Sequence, residues 1–301
     1  MNKPTSALTG TAFLTLLLIA VMMGANHVAA RTAFNHGVNV ATAVTMRSVG
    51  TALVLAVLLY WQGVNWRVAP RQRGFLVVIG VLIAAQSICL YSAVARLPVA
   101  LALLVFNTYP LSTAFWARVL YRHRTPRPVL IAMPMLLFGL ALALDVTGAA
   151  SSLSAAAHWS EIGVGVGFGL GASFTFGLAL VFTQHETAGL DGRLRTFTTM
   201  SQVGLIAGAI ALSTGGLQWP DAAAGWWGLV LLTLLYGTAF TIMFTVLPKL
   251  GVVGNSAIMN VEPVFALVLA WLLLGQHIAP IQVAGALVVV GTAVMLGLRK
   301  G

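Results

Sequence analysis

Asn107-Thr-Tyr-Pro110 and Asn260-Val-Glu-Pro263 are two versions of one motif, and each stands inside a long apolar stretch. The second version follows the first after 153 residues, which is about half of the chain. Thr45-Met-Arg-Ser-Val-Gly50 reappears as Thr199-Met-Ser-Gln-Val-Gly204 after 154 residues, and Gly24-Ala-Asn-His27 resembles Gly171-Ala-Ser-Phe174 after 147 residues. The chain is therefore predicted to consist of two copies of one unit, residues 1–150 and residues 151–301.

The composition is that of a membrane protein. Hydrophobic residues make up 59% of the chain and charged residues 7%, whereas about 25% of the residues in a soluble domain are charged. Ten apolar segments each approach the ~20 residues that a helix needs to cross the hydrocarbon core. Their apolar runs do not alternate with polar residues, which predicts a helical bundle and excludes a β-barrel. The segments are 7–30, 38–61, 74–95, 98–120, 128–146, 160–183, 197–214, 226–247, 252–274 and 279–298.

The basic residues predict how the chain is oriented. If the N-terminus is cytoplasmic, thirteen of the sixteen Lys and Arg residues lie on the inner side, two lie outside and Arg47 lies within a span. This distribution follows the positive-inside rule and places both termini in the cytoplasm. Because each copy has five spans, the two copies are predicted to have opposite orientations, as in many secondary transporters. The net charge of +10 is spread over separate short loops, which argues against nucleic-acid binding.

Two ionisable residues stand out within the predicted spans. Glu262 is the only acid well inside a span, and Arg47 is the only comparable base. Because such groups are costly in the membrane, they are functional-site hypotheses by default. A guanidinium can donate two parallel hydrogen bonds to a carboxylate, so Arg47 is a candidate for binding a substrate carboxylate, and Glu262 with Asn260 for binding an ammonium group. The alternatives are an internal salt bridge between Arg47 and Glu262 and a purely structural role.

The two prolines of the repeated motif predict irregular helices that line a central cavity. Pro110 and Pro263 each remove one backbone hydrogen bond and are expected to kink their helices, as in the cavity lining of inverted-repeat transporters. The alternative is that the neighbouring asparagines merely cap the freed carbonyls. An isolated polar residue often only joins two helices. The further candidates for substrate contact are Gln86, Tyr91, Asn107, Tyr109, Ser173, Phe176, Gln202 and Tyr236, with Asn26, His27 and Thr241 as weaker ones.

The sequence carries no motif for catalysis. It has no spaced Cys/His set for a metal, no nucleophile elbow and no phosphate-binding loop. We therefore expect a protein that is not an enzyme and that has no metal and no cofactor. Without a nucleotide-binding motif, any transport would be driven by solute or ion gradients, with protons as a candidate coupling ion.

The pattern resembles the EamA-type ten-helix members of the drug/metabolite transporter superfamily, and among them the YddG-like amino-acid exporters. The shared features are ten short-looped spans in two halves, the Thr-Met-Arg47-Ser context, and Asn260-Val-Glu-Pro263 followed by Leu267-Val-Leu-Ala-Trp271. The resemblance covers essentially the whole chain. It implies an inverted-repeat basket around a central cavity that works by alternating access. The superfamily also includes drug exporters and sugar-nucleotide carriers, so the resemblance specifies the fold more sharply than the substrate.

Together these features predict a multi-pass transporter of the bacterial cytoplasmic (inner) membrane that exports small zwitterionic metabolites, above all neutral or aromatic amino acids. Arg47 would bind the carboxylate, Glu262 and Asn260 the ammonium, and the aromatic residues Tyr91, Phe176 and Tyr236 the side chain. One alternative is a proton-coupled exporter of lipophilic cations, in which Glu262 exchanges a proton for the drug. A channel and a scaffold without transport are further alternatives. Ion coupling, net direction and oligomeric state stay open, and a monomer is compatible with the sequence.

Overall fold

Eleven α-helices form the regular structure of the part of the chain that a computed structural model describes, and that part contains no β-strand. The described residues are 10–64, 66–123, 127–145, 155–245, 261–276 and 279–298. The all-helical prediction is confirmed. Asn260 and the first part of the ninth predicted span fall outside the described residues. The helices are α1 (Gly10–Asn35), α2 (Val40–Trp61), α3 (Pro70–Arg96), α4 (Val99–Phe106), α5 (Tyr109–Tyr121), α6 (Arg127–Ala143), α7 (Ala155–Glu186), α8 (Gly192–Ser213), α9 (Ala223–Thr245), α10 (Glu262–Leu274) and α11 (Pro280–Leu298).

Among the described residues, seven stretches of helix are long and apolar enough to cross a membrane. Six of them belong to the single helices α1, α2, α3, α7, α8 and α9, and the seventh comprises α4 and α5 together, over Val99–Tyr121. The apolar stretches of α6, α10 and α11 are shorter. The chain is thus a multi-pass membrane protein.

Large apolar side chains cover the outside of the helix bundle. Leu205 is 73% exposed, Leu212 75% and Leu273 70%. An apolar surface of this kind is unfavourable in water but is compatible with lipid tails, which are as apolar as leucine. The helices are accordingly apolar on the faces that pack and on the faces that do not.

Local sequence signals fix the ends of several helices. The Asn39 side chain accepts a hydrogen bond of 2.7 Å from the backbone N–H of Thr42 and caps α2, and Asp191 accepts one of 2.8 Å from Arg193 at the start of α8. Such caps satisfy backbone donors that lack a partner within the helix. The side-chain hydrogen bond from Arg193 holds the pKa of Asp191 below its usual value. Gly275 ends α10 with a φ of 62°, a conformation that suits glycine.

The helices of the first half pack on those of the second half in a symmetric pattern. Helix α1 packs along α9 and α3 packs along α7, while α5 packs on α7 and α10 packs on α1. The pairs α2 with α8 and α6 with α11 map onto themselves when the halves are exchanged. Each of these contacts between the halves therefore has a counterpart, as a two-fold relation between two copies requires.

Close glycine contacts establish the register of the repeat. A Cβ atom on Gly24 would lie 3.0 Å from the backbone nitrogen of Ala266, and one on Gly177 would lie 2.7 Å from that of Thr113. Gly177 follows Gly24 by 153 residues, as Ala266 follows Thr113, so α1 and α7 obey the same offset as the Asn-Pro motifs. The sequence match of Gly24 with Gly171 was wrong by six residues. Short Gly-Ala matches in apolar helices recur by chance, whereas the backbone approach occurs at one place.

Candidate functional site

The repeated motif interrupts a helix in the middle of the apolar stretch. Helix α4 ends at Phe106 and α5 begins at Tyr109, with Pro110 in its first turn. Asn107 donates a hydrogen bond of 2.8 Å to the Leu103 carbonyl, and the Thr108 hydroxyl donates one of 2.8 Å to the Val105 carbonyl. These side chains cap the end of α4, so Asn107 has the capping role that the sequence left as its alternative.

The second version of the motif also starts a helix. Glu262 is the first residue of α10 and Pro263 the second, after one turn residue. Both prolines thus lie at helix beginnings instead of at simple kinks, because a missing N–H costs nothing in the first turn. The carboxylate of Glu262 lies at the positive end of the α10 dipole, which favours its negative charge.

Arg47 is buried at the centre of the bundle, between two aromatic rings. Its guanidinium carbon lies 4.6 Å from the centroid of the Tyr91 ring and 4.0 Å from that of the Tyr236 ring. The residue is 3% exposed. Each such cation–π contact is worth up to about 2 kcal/mol when the groups are desolvated. The predicted candidates Arg47, Tyr91 and Tyr236 therefore lie together. The two tyrosines, which were predicted to contact the side chain of the substrate, contact the arginine.

Neighbouring polar residues of α3 extend the environment of Arg47. One terminal nitrogen of Arg47, Nη2, donates a hydrogen bond of 2.9 Å to the Ser87 hydroxyl, and Ser87 donates one of 3.3 Å to Gln86 Oε1. Gln86 is 8% exposed and Ser87 1% exposed. Gln86, a predicted site residue, thus reaches Arg47 only through Ser87, which the sequence analysis did not single out because serine is common in apolar helices.

Glu262 pairs with a histidine of α1 and not with Arg47. His27 Nε2 lies 3.2 Å from Glu262 Oε1. The side chain of His27 is 2% exposed and that of Glu262 is 21% exposed. Glu262 also interacts electrostatically with Tyr109 and Tyr236. The salt bridge between Arg47 and Glu262 that the sequence allowed is not formed.

Tyr91 connects the two ionic groups. The centroid of its ring lies 5.6 Å from that of the His27 ring. Its hydroxyl donates a hydrogen bond of 3.1 Å to Oδ1 of Asn26, which is fully buried. Since the same ring also contacts Arg47, one aromatic side chain joins α1, α2 and α3. We define the central polar cluster by these contacts as Asn26, His27, Arg47, Ser87, Tyr91, Tyr236 and Glu262.

Several buried atoms of the central polar cluster have no hydrogen-bond partner among the described residues. They are Asn26 Nδ2, His27 Nδ1 and Arg47 Nε. The adjacent Ser48 Oγ is in the same condition. Buried polar atoms are nearly always paired in folded proteins, so each unpaired one calls for an explanation. Unused donors beside a cation and a carboxylate are what a binding site for a polar ligand requires.

The other predicted site residues lie outside the central polar cluster. Phe176 packs against Tyr109, with ring centroids 5.1 Å apart, and both contact Phe106. Because Tyr109 interacts with Glu262, this aromatic group borders the cluster. Gln202 donates a hydrogen bond of 3.2 Å to the Leu76 carbonyl and joins α8 to α3, as expected for a polar residue that holds two helices together.

Ser173 belongs to a different environment. Its hydroxyl lies 2.9 Å from the Thr108 hydroxyl and 3.1 Å from the Ser112 hydroxyl, beside the break between α4 and α5. These residues line a recess of about 460 Å³ between α5, α6 and α7. The contacts tie α7 to the interrupted helix, a structural role in this arrangement.

The sequence underestimated His27 and Asn26. His27 was predicted only as a weaker candidate for substrate contact, yet it is buried and contacts Glu262. Glu262 itself was the signal that could have identified His27, because a carboxylate within a span requires a polar partner. The sequence analysis named only Arg47 as that partner. Within the described residues, no group of three His, Cys, Asp or Glu side chains could hold a metal ion.

Comparison with known proteins gives results consistent with this architecture. The model of the EamA-like transporter family matches the chain twice, at residues 10–144 and 163–298. The threonine/homoserine exporter RhtA of Escherichia coli strain K12 is 26% identical over 267 residues, which cover 84% of this chain and 80% of RhtA. RhtA of Escherichia coli O157:H7 gives the same figures. A solved crystal structure is similar with a TM-score of 0.64 and 15% identity, over 97% of this chain and 99% of that one; at this identity the likeness concerns the fold alone.

Proposed function

The chain belongs to the EamA-like transporter family, and we propose that it exports small neutral amino acids across the bacterial cytoplasmic membrane. The observation that carries the proposal is the state of Arg47. Among the described residues, no carboxylate lies within 4 Å of its buried guanidinium, and its Nε–H has no hydrogen-bond partner. A buried cation without a counter-charge is unfavourable in an apolar interior, and the carboxylate of an amino acid would supply that charge.

The other end of the substrate would meet Glu262. Its side chain retains 21% exposure beside a fully buried histidine, so the carboxylate is the accessible member of that pair. An ammonium group can donate three hydrogen bonds, and the Glu262 carboxylate can accept at least one of them. A zwitterion would then bridge the positive and the negative part of the central polar cluster.

The nature of the substrate side chain follows from where the tyrosines lie. Tyr91 and Tyr236 stack on Arg47, and Phe176 packs with Phe106 and Tyr109. These aromatic faces are occupied, so a small side chain fits the proposal better than an aromatic one. The similar protein RhtA is named a threonine/homoserine exporter, which supports a substrate with a small polar side chain. We therefore propose threonine-like amino acids ahead of aromatic ones.

The transport cycle would follow from the repeat. We propose ten spans in two oppositely oriented units, near residues 1–150 and 151–301, with both termini in the cytoplasm. Helices α4 and α5 would form one span, and α10 would be the second part of another. The symmetric packing of the halves supports a mechanism in which they rock about the central polar cluster and open it alternately to each side.

Exchange of labelled amino acids tests this proposal. Liposomes that contain the purified protein are loaded with unlabelled threonine, and uptake of labelled threonine from the medium is measured without any ion gradient. We expect saturable uptake that unlabelled homoserine inhibits, and weaker inhibition by phenylalanine. Empty liposomes provide the background.

The same vesicles address the alternative function. Uptake of labelled tetraphenylphosphonium, together with threonine uptake no higher than in empty liposomes, would contradict amino-acid export and favour a lipophilic-cation exporter. Uptake that rises linearly with threonine concentration would contradict a binding site and favour a channel.

A further inference from the structure

The pair of His27 and Glu262 has a feature that amino-acid binding alone does not require. Arg47 and Glu262 would be enough to bind both ends of a zwitterion, yet Glu262 already has a partner, at 3.2 Å. That partner is a histidine, whose charge can change near neutral pH, unlike that of lysine or arginine. We propose that His27 and Glu262 hold one exchangeable proton, and that the ammonium group of the bound amino acid displaces it, so that one proton enters the cell for each amino acid exported. This inference rests on the proposed function.

The geometry provides one stabilising partner for a charged imidazole. His27 Nε2 faces Glu262 Oε1, while Nδ1 has no hydrogen-bond partner among the described residues. The ring is 2% exposed and packs against Tyr91. The imidazolium therefore depends on the negative charge of Glu262, because burial disfavours an unpaired charge.

Binding of an ammonium group at Glu262 would change this balance. Two cations would then share one carboxylate, and their repulsion is strong where water is excluded. The proton leaves the imidazole for water in the compartment to which the site is open, and the ammonium takes over the pairing with Glu262. No covalent bond to the substrate is formed.

The net charge of the site differs between its empty and its loaded state. The empty site contains two positive charges, on Arg47 and protonated His27, and one negative charge, on Glu262, so its net charge is +1. With a zwitterion bound and His27 neutral, Arg47 and Glu262 cancel. Release of the amino acid outside is followed by uptake of a proton there, and the cycle exchanges one proton for one amino acid and carries one charge across the membrane.

The other titratable groups near the pair do not offer an alternative proton. Tyr91 from α3 packs against His27, and Tyr109 from α5 and Tyr236 from α9 interact with Glu262; a phenol is not a proton carrier in the physiological range. Arg47 from α2 keeps its charge at every physiological pH. Among the described residues around Glu262, His27 is thus the group suited to exchange a proton in the physiological range.

Proton release on substrate binding is the first test. Threonine is added to the purified protein in weakly buffered detergent solution between about pH 5.5 and 7.5, and a pH-sensitive dye reports the protons released. We expect a release that approaches about one proton per bound threonine at the acidic end. Binding without proton release would overturn the inference.

Two matched variants assign the proton. In His27→Gln, the amide can still donate a hydrogen bond to Glu262 but carries no exchangeable charge, so we expect bound threonine to release no proton. In His36→Gln, the same change is made just after the end of α1, at a ring that bonds to the Thr32 carbonyl, and proton release should stay at the wild-type level. Proton release that persists in His27→Gln would overturn the assignment.

Accumulation in vesicles separates this inference from the proposed function. With the interior one pH unit more acidic than the medium and the membrane potential clamped at zero, wild-type protein should accumulate labelled threonine about tenfold, and His27→Gln should only equilibrate it. Threonine exchange without accumulation in the wild type would leave amino-acid transport standing and refute the coupling. Absence of exchange in the wild type would refute the proposed function itself. Because the wild-type results decide between these outcomes, misfolding of a variant does not leave the inference untested.

Discussion

Replacement of Arg47 by glutamine is the perturbation that most directly tests the central polar cluster. The side chain is buried, it stacks between two tyrosines, and it bonds to the Ser87 hydroxyl. Glutamine keeps a hydrogen-bond donor for Ser87 but removes the charge and the two-pronged donor geometry. If Arg47 binds the substrate carboxylate, Arg47→Gln should weaken threonine binding far more than it affects the stability of the fold.

The magnitude follows from which contacts are made in the empty site. Both stacking contacts are already present without substrate, so they contribute to stability and largely cancel in binding. Loss of one partner of a buried charge pair costs about 2–5 kcal/mol, which corresponds to a loss of affinity from about 30-fold to several thousandfold. For stability, two cation–π contacts of up to about 2 kcal/mol each are offset by the several kcal/mol of desolvation that a buried charge costs. We therefore expect a small change in Tm in either direction.

Threonine binding by titration calorimetry and threonine exchange in liposomes measure this effect, with thermal unfolding in detergent as the check on the fold. Arg47→Lys retains the charge without the planar fork and should lie between wild type and Arg47→Gln. Arg96→Gln is the matched control, because Arg96 also stacks on an aromatic ring, at 4.9 Å from the Phe168 centroid, but lies outside the central polar cluster. Threonine affinity within threefold of wild type in a well-folded Arg47→Gln protein would refute the role of Arg47 in binding.

Three further substitutions test the packing and the local electrostatics. Gly177→Ala places a Cβ atom 2.7 Å from the backbone of α5 and should destabilise the protein by about 1–3 kcal/mol, seen as a lower Tm, whereas Gly167→Ala, with no atom within 4 Å of its Cβ, should be neutral or slightly stabilising. Ser87→Ala leaves a buried donor of Arg47 unpaired and should cost about 1–3 kcal/mol, measured by thermal unfolding. The hydrogen bond from the Arg193 guanidinium lowers the pKa of Asp191. The stabilisation from this carboxylate is therefore present above the unfolded pKa of about 3.9 and is lost as the pH falls through the lower folded value. Asp191→Asn should cost less than about 1 kcal/mol at pH 7, since the carboxylate is partly exposed, and should reduce the loss of Tm on acidification.

Each of these three has its own contradicting result. Equal Tm values for the two glycine variants would show that α5 and α7 do not approach each other as described. An unchanged Tm in Ser87→Ala would indicate that Arg47 finds another acceptor. An acid-induced drop in Tm that is the same with and without the Asp191 carboxylate would show that other groups dominate at low pH.

The sequence went far in predicting the fold because the relevant information is local or periodic. Apolar runs near membrane length predict spans whatever their neighbours are, and an offset that recurs at two motifs predicts two copies. The register of α1 against α7 could not be obtained this way, since Gly24 matches several glycines of the second half almost equally well. The approach of Gly177 to α5 selects one of them.

The sequence predicted several residues of the candidate site but not which of them contact each other. Arg47 and Glu262 could be found from the sequence because a charge within an apolar span is conspicuous wherever it lies. Their partners could not be found, because His27, Tyr91 and Glu262 are far apart in the chain and meet only through the packing of α1, α3 and α10. Gln202 and Ser173 are as polar as the members of the cluster, yet they join helices elsewhere.

A helical membrane protein made of two related halves can thus be recognised from the sequence, because the lipid environment favours an apolar helix in each segment independently of the others. That Glu262 contacts His27, while Arg47 is enclosed by Tyr91 and Tyr236, is visible only in the folded chain. A charge within an apolar interior is stabilised by whichever polar group the helix packing brings within a few ångströms, and that packing depends on close contacts between helices distant in the chain.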